Sequence, residues 1–84
     1  MENQLPVSWM PNFLACKPLK QQLADVLIRT ISVQNLNSDY YLPEIGKLST
    51  TYKVSRDVVF EAYHILMETG IVRYDKSRSK FVLS

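Results

Sequence analysis

Apolar residues recur at helical spacing in residues 54–70, VSRDVVFEAYHILMETG. Four of them stand at i, i+3, i+4 and i+7 and so share one face of a helix: Val59, Ala62, Tyr63 and Leu66. Ser55 is a favourable N-cap, and Asp57 complements the positive end of the helix dipole. Gly70 can adopt the left-handed conformation of a C-terminal cap. The pattern predicts an amphipathic helix over residues 55–69, with Arg56 on its polar face and the Tyr63 hydroxyl at the edge of the core.

Two further helices are predicted before this one. Apolar positions recur with helical spacing over residues 18–33, and Pro18 suits a first turn because its missing N–H costs little there. A shorter helix is predicted over residues 44–52, with three side chains facing inward: Leu48, Thr51 and Tyr52. Gly46 lies inside this helix and costs it roughly 1 kcal/mol relative to alanine, so we expect the helix to depend on tertiary contacts.

Turns and short strands are predicted between and after these helices. Residues 34–39, QNLNSD, have the composition of a turn, and residues 52–55 form a tight turn between the second and third helices. The predicted strands cover residues 40–42, 71–74 and 80–83. The last two flank the polar turn 75–79 as a β-hairpin. Three helices followed by this hairpin predict a mainly α fold with a small β-hairpin, a winged helix-turn-helix.

Residues 1–16 show no clear period and contain Pro6 and Pro11, which argue against a long helix. Several of their side chains are nevertheless too apolar for a free tail: Trp9, Met10, Phe13 and Leu14. We expect an N-terminal arm that packs on the domain and covers part of its core. The alternative is a contact to a second subunit.

Composition excludes several classes of protein. Eighty-four residues suit one small domain, and 46% hydrophobic with 21% charged residues is typical of a globular chain. Cys16 and His64 are single, which excludes an intramolecular disulfide and argues against a metal site; His64 has no evident carboxylate partner. No nucleophile–base pair appears, so we expect no enzyme and no cofactor. No membrane span or signal peptide appears, and a cytoplasmic protein is predicted.

Short motifs at consistent spacing carry a resemblance to a known family. They are Pro18-Leu19, Leu42-Pro43, Leu48-Ser49, Val54-Ser55-Arg56, Ala62-Tyr63, Gly70-Ile71-Val72 and Phe81-Val82. Over residues 18–82 the chain resembles the DNA-binding domain of GntR-type transcriptional regulators. The resemblance implies a bacterial repressor or activator, usually a homodimer, with a separate C-terminal effector-binding domain. We therefore expect an arm over 1–16, a winged helix-turn-helix over 17–84 and no effector domain in this chain, so that a small-molecule effector requires a further domain.

The chain departs from the family pattern at places that often contact DNA. Glu44, Ile45 and Gly46 stand where the family usually has Ser or Thr, an acidic residue and a phosphate-contacting arginine. Phe60 replaces a later arginine of the recognition helix. In the wing, the usual Gly-x-Gly is Ser77-Arg78-Ser79.

The first functional hypothesis is sequence-specific binding of a double-stranded DNA operator, with helix 55–69 in the major groove and wing residues 75–80 on the backbone or minor groove. Arg56 can reach a phosphate or a guanine edge, and Val58 a thymine methyl. Residues 71–84 carry four basic residues against Asp75 alone, which fits a phosphate-contacting surface as well as a solvated hairpin. The candidate DNA-binding residues are Lys47, Lys53, Ser55, Arg56, Val58, Lys76, Arg78 and Lys80.

The alternative hypothesis is a winged helix used for protein interaction or dimerisation, with weak or lost DNA binding. Three residues lie off the main apolar face of the third helix: Phe60, Ile65 and Met67. They either complete packing with the N-terminal arm or form an exposed patch for a partner.

Overall fold

A computed structural model describes residues 3–34 and 40–83, with only the backbone of Asn3. Among these residues, three helices and four short strands follow one another. They are β1 (Asn3–Gln4), α1 (Leu19–Gln34), β2 (Tyr40–Tyr41), α2 (Ile45–Tyr52), α3 (Arg56–Glu68), β3 (Val72–Asp75) and β4 (Lys80–Leu83). The predicted helices are confirmed, each within one residue of its expected bounds. The predicted turn 34–39 lies outside the described residues, apart from the end of α1.

The core lies where α3 packs against α1 on one side and α2 on the other. The four residues of the predicted apolar face of α3 are completely buried. On α2, Leu48 is buried and Tyr52 half-buried, but Thr51 is exposed, so its predicted inward orientation is wrong. The buried and half-buried positions of α2 spread from Leu48 toward Ser49 and Tyr52, and Thr51 lies on the other side of Leu48.

Local capping defines both ends of α3. The Ser55 hydroxyl accepts a hydrogen bond from the Val58 amide at 3.3 Å, which confirms the predicted N-cap. At the other end Gly70 has φ 80°, and the Ile71 amide donates to the Leu66 carbonyl at 3.1 Å. The bounds of α3 are therefore set by local capping interactions of residues next to the helix.

The sheet has the strand order β1-β2-β4-β3. Strands β3 and β4 are antiparallel, with Val72 opposite Leu83 and Asp75 opposite Lys80, and they form the predicted wing. Strand β2 pairs antiparallel with β4 through Tyr41 and Val82. Strand β1 pairs parallel with β2 and was not predicted, because two residues are too few to show a period.

The N-terminal arm packs on the domain as expected. Leu5 and Trp9 are 1% and 8% exposed. The Trp9 ring meets the Tyr52 ring edge-on, with 5.3 Å between centroids, and the Tyr52 hydroxyl donates to the Val7 carbonyl at 3.0 Å. By contrast, Met10 in the same arm is 90% exposed. The arm thus completes the core through selected side chains only.

The Tyr63 hydroxyl lies inside the core and not at its edge. It is buried and donates to the Pro43 carbonyl at 2.7 Å, and burial raises the pKa of this phenol above its usual range. This bond ties α3 to the segment before α2. None of the helices in the described segments is both long and apolar enough to span a membrane.

Candidate nucleic-acid interface

The helix-turn-helix consists of α2, the turn 53–55 and α3. Lys53 adopts a left-handed backbone, φ 56° and ψ 43°, and ends α2 with its amide directed to the Ser49 carbonyl. Ser55 then starts α3, so that Arg56 is the first residue of the helix and is exposed. The turn chemistry therefore places a cation at the exposed start of α3.

The Arg56 side chain turns back toward the first turn of α2. Its Nη2 atom lies 3.2 Å from the place where a Cβ atom on Gly46 would stand. Both helix starts carry positive partial charge, which disfavours a cation there. No carboxylate in the described part of the chain forms an ion pair with Arg56. An anion such as a DNA phosphate would relieve this arrangement.

The turn of the wing carries exposed cations, and Asp75 contacts it from the end of β3. The Asp75 carboxylate accepts from the Ser77 amide at 2.9 Å and lies 3.4 Å from Nε of Arg78. This ion pair is exposed on the Arg78 side, so it contributes little to stability. Ser79 adopts φ 55°, a conformation in which glycine is favoured.

A groove of about 570 Å³ separates the wing from the start of α2. It brings together three of the predicted DNA-binding residues: Lys47, Arg78 and Lys80. Lys80 Nζ lies 4.1 Å from the centroid of the Tyr41 ring, and Lys47 Nζ lies 3.5 Å from Oε1 of Gln4. Neither Gly46 nor Arg56 lines this groove.

The groove also contains residues that the sequence reasoning missed. Tyr41, Tyr74 and Gln4 line it, and the Tyr74 ring packs edge-on against Phe81 with 5.0 Å between centroids. Tyr74 is on the same face of β3 as the buried Val72, so strand alternation predicts an inward side chain and gives no signal for its 46% exposure. Gln4 had no signal either, because only the pairing of β1 with β2 brings it here.

The other five predicted DNA-binding residues do not line the groove, and Arg56 is one of them. Lys53 and Lys76 are exposed but do not line it. Ser55 is exposed at the start of α3, where its hydroxyl serves as the cap. Val58 is half-buried and packs against the core, which limits the surface it can offer to a thymine methyl.

The later part of α3 differs electrostatically from its start. Oε2 of Glu61 lies 3.1 Å from Nζ of Lys20 in α1. Oε1 of Glu68 lies 3.2 Å from Nδ1 of His64. His64 therefore has a carboxylate partner at i+4, and the expectation that it had none is wrong. These two acids are paired away from the start of the helix, where Asp57 is the acidic residue of the first turn.

The three residues of the alternative patch do not behave alike. Ile65 and Met67 are half-buried and pack against the core, whereas Phe60 is 48% exposed. The Phe60 ring meets the His64 ring, with 6.4 Å between centroids, and lines a shallow groove beside Lys20 of α1. The described contacts thus place Phe60 beside α1 and not against the N-terminal arm.

Comparison with known proteins agrees with this architecture. Residues 19–82 match the family model described as bacterial regulatory proteins, gntR family. YtrA from Sulfolobus acidocaldarius, a GntR-family transcription factor, is similar in structure, with a TM-score of 0.79 and 26% sequence identity over 89% of this chain and 78% of the YtrA chain. A search of curated proteins finds no match. The chain therefore belongs to the GntR family of bacterial regulatory proteins, and its winged helix-turn-helix is that of a DNA-binding transcriptional regulator.

Proposed function

We propose that the chain binds a double-stranded DNA operator sequence-specifically, with α3 in the major groove and wing residues 75–80 along the flanking backbone or minor groove. One observation carries this proposal: Lys47 of the helix-turn-helix lines one groove together with Arg78 and Lys80 of the wing. Arg56, exposed at the start of α3, is proposed to contact the same duplex. Ser55, Lys53 and Lys76 flank this surface as backbone contacts.

Binding to duplex DNA at about 50 and 200 mM salt tests the proposal. Each phosphate contact adds about 0.9 to the slope of log affinity against log salt, so Arg56→Ala/Arg78→Ala should weaken binding and lower the slope by about two. The matched control is Lys17→Ala/Arg29→Ala, which removes the same charge from outside the helix-turn-helix and wing. An equal loss in the control variant would show non-specific electrostatics and reject the site.

The regulator is proposed to act as a homodimer in the cytoplasm, where its operator DNA lies. A single half-site offers few contacts, and two-fold symmetry doubles them on a palindromic operator. Sedimentation of the chain with a selected duplex should give two chains per operator. A small-molecule effector is proposed only if a further C-terminal domain exists.

Protein interaction is the second candidate, and the exposure of Phe60 is the observation that favours it. An apolar ring beside His64 and Lys20 could contact a partner protein without involving the wing. Phe60→Ala should then spare DNA binding and weaken association, whereas Arg56→Ala should do the reverse. Salt-insensitive association together with absent DNA binding would favour this candidate over the first.

A further inference from the structure

The backbone conformation at Gly46 is helical and does not require a glycine. This residue lies in the first turn of α2, and Gly70, not Gly46, is the glycine with positive φ. Glycine in a helix is unfavourable relative to alanine, because it loses more conformational freedom on folding. The reason for a glycine here must lie in its surroundings.

Those surroundings are the guanidinium of Arg56. A Cβ at position 46 would lie 3.2 Å from Nη2, 3.6 Å from Cζ and 3.7 Å from Nε of Arg56. The shortest of these distances is below ordinary van der Waals contact, so alanine would displace the guanidinium slightly. A longer side chain would occupy the space that the guanidinium now fills.

We propose that Gly46 is a positioning residue for Arg56: the bare backbone of α2 lets the guanidinium lie against its first turn, which sets the direction from which Arg56 meets DNA. Arginine has a long, flexible stem, and a side chain held before binding loses less entropy when it engages a phosphate or a base. This inference rests on the proposed function, because it assigns Arg56 a DNA contact.

The geometry can be tested without DNA. In the free chain, nuclear Overhauser effects should connect the Arg56 Nε proton with the Gly46 Hα protons. The corresponding contacts between residues 46 and 56 should disappear in Gly46→Leu. Their absence from the unmodified chain would overturn the proposal directly.

A double-mutant cycle tests the consequence for DNA. On a selected operator, Gly46→Ala should weaken binding about threefold and Gly46→Leu about tenfold. Neither substitution should weaken binding further in the Arg56→Ala background. The melting temperature should nevertheless rise in Gly46→Ala, because alanine is the better helix former. Ser32→Ala is the control: it raises helix propensity at an exposed position of α1 and should leave DNA affinity unchanged.

Other outcomes overturn the proposal. An equal loss of affinity in both backgrounds would mean that Gly46 acts by letting the DNA backbone approach α2, independently of Arg56. Full affinity in Gly46→Leu would mean that the direction of Arg56 is unimportant. If the unmodified chain binds no duplex DNA at low salt, the proposed function fails and the role of Gly46 in DNA binding fails with it. The nuclear Overhauser effects would then separate this failure from an error in the geometry.

Discussion

The N-terminal arm and the wing are both edge segments of one small sheet, yet they use their side chains in opposite ways. The arm adds β1 to β2 and inserts Leu5 and Trp9 into the core. The wing adds β3 to β4 and directs Arg78 and Lys80 into the groove beside α2. Burial of apolar area stabilises a fold of this size, whereas exposed cations contribute little to stability and much to phosphate binding. The arm therefore supplies side chains that stabilise the domain, whereas the wing supplies side chains proposed to bind DNA.

The largest expected effect is on stability, at the arm. Trp9→Ala should lower the free energy of unfolding by about 3 kcal/mol, because it removes a buried indole and its contact with Tyr52. Chemical denaturation measures the change. DNA affinity at a temperature where the variant remains folded should be unchanged. Met10→Ala, at an exposed position of the same arm, should change neither property, and a comparable loss there would contradict the assignment of the core contact to Trp9.

The next effect is on binding, at the wing. Arg78→Ala should weaken DNA binding about threefold to tenfold near 0.1 M salt and lower the salt slope by about one. Its melting temperature should stay nearly unchanged, because the ion pair with Asp75 is exposed on the Arg78 side. Arg73→Ala provides the control, since Arg73 is exposed on β3 outside the groove and should matter less. A greater loss of affinity in Arg73→Ala would move the interface to the other side of the wing.

A smaller effect is expected on stability at the wing turn, where the backbone of Ser79 is strained. Ser79 has φ 55°, where an L-residue is strained and glycine is not. Ser79→Gly should therefore raise the free energy of unfolding by about 0.5 kcal/mol, after the greater flexibility of glycine in the unfolded chain is subtracted. Ser77→Gly is the control, because Ser77 lies in the same turn without positive φ and should be neutral or destabilising. Thermal unfolding measures the stability of both variants. Stabilisation by Ser77→Gly and not by Ser79→Gly would contradict the assignment of strain to Ser79.

The smallest effect concerns the junction of the arm with α1. Lys17 pairs with Asp25, and this hydrogen bond, the largest cause, lowers the pKa of the carboxyl below its usual 3.8. A lowered pKa in the folded state means that the ion pair stabilises above pH 3.8 and that this stabilisation is lost as pH falls below it. Melting temperatures of the unmodified chain and Lys17→Ala should differ slightly at neutral pH and converge in acid. A difference that persists in acid after Asp25 is protonated would contradict this assignment.

Much of this architecture follows from local sequence. The three helices and the hairpin were predictable because side-chain periodicity, the Ser55 cap and Gly70 act within a few residues of each other. The buried residues of α3 were predicted correctly for the same reason, because helical periodicity acts over a few residues. The candidate interface was predictable as a set of residue types, since cations cluster near the start of α3 and on the wing.

Only the tertiary structure decided how distant segments meet. Strand β1 exists because β2, thirty-odd residues later, offers it a backbone edge. The contact of Arg56 with Gly46 depends on the angle between α2 and α3, and the bond from the Tyr63 hydroxyl to Pro43 depends on the packing of α3 beneath that segment. Periodicity reports which face of an element is buried but not what that face touches. Local sequence therefore determined the helices and the hairpin of this protein. The groove and the direction of the Arg56 side chain were determined by how those elements pack.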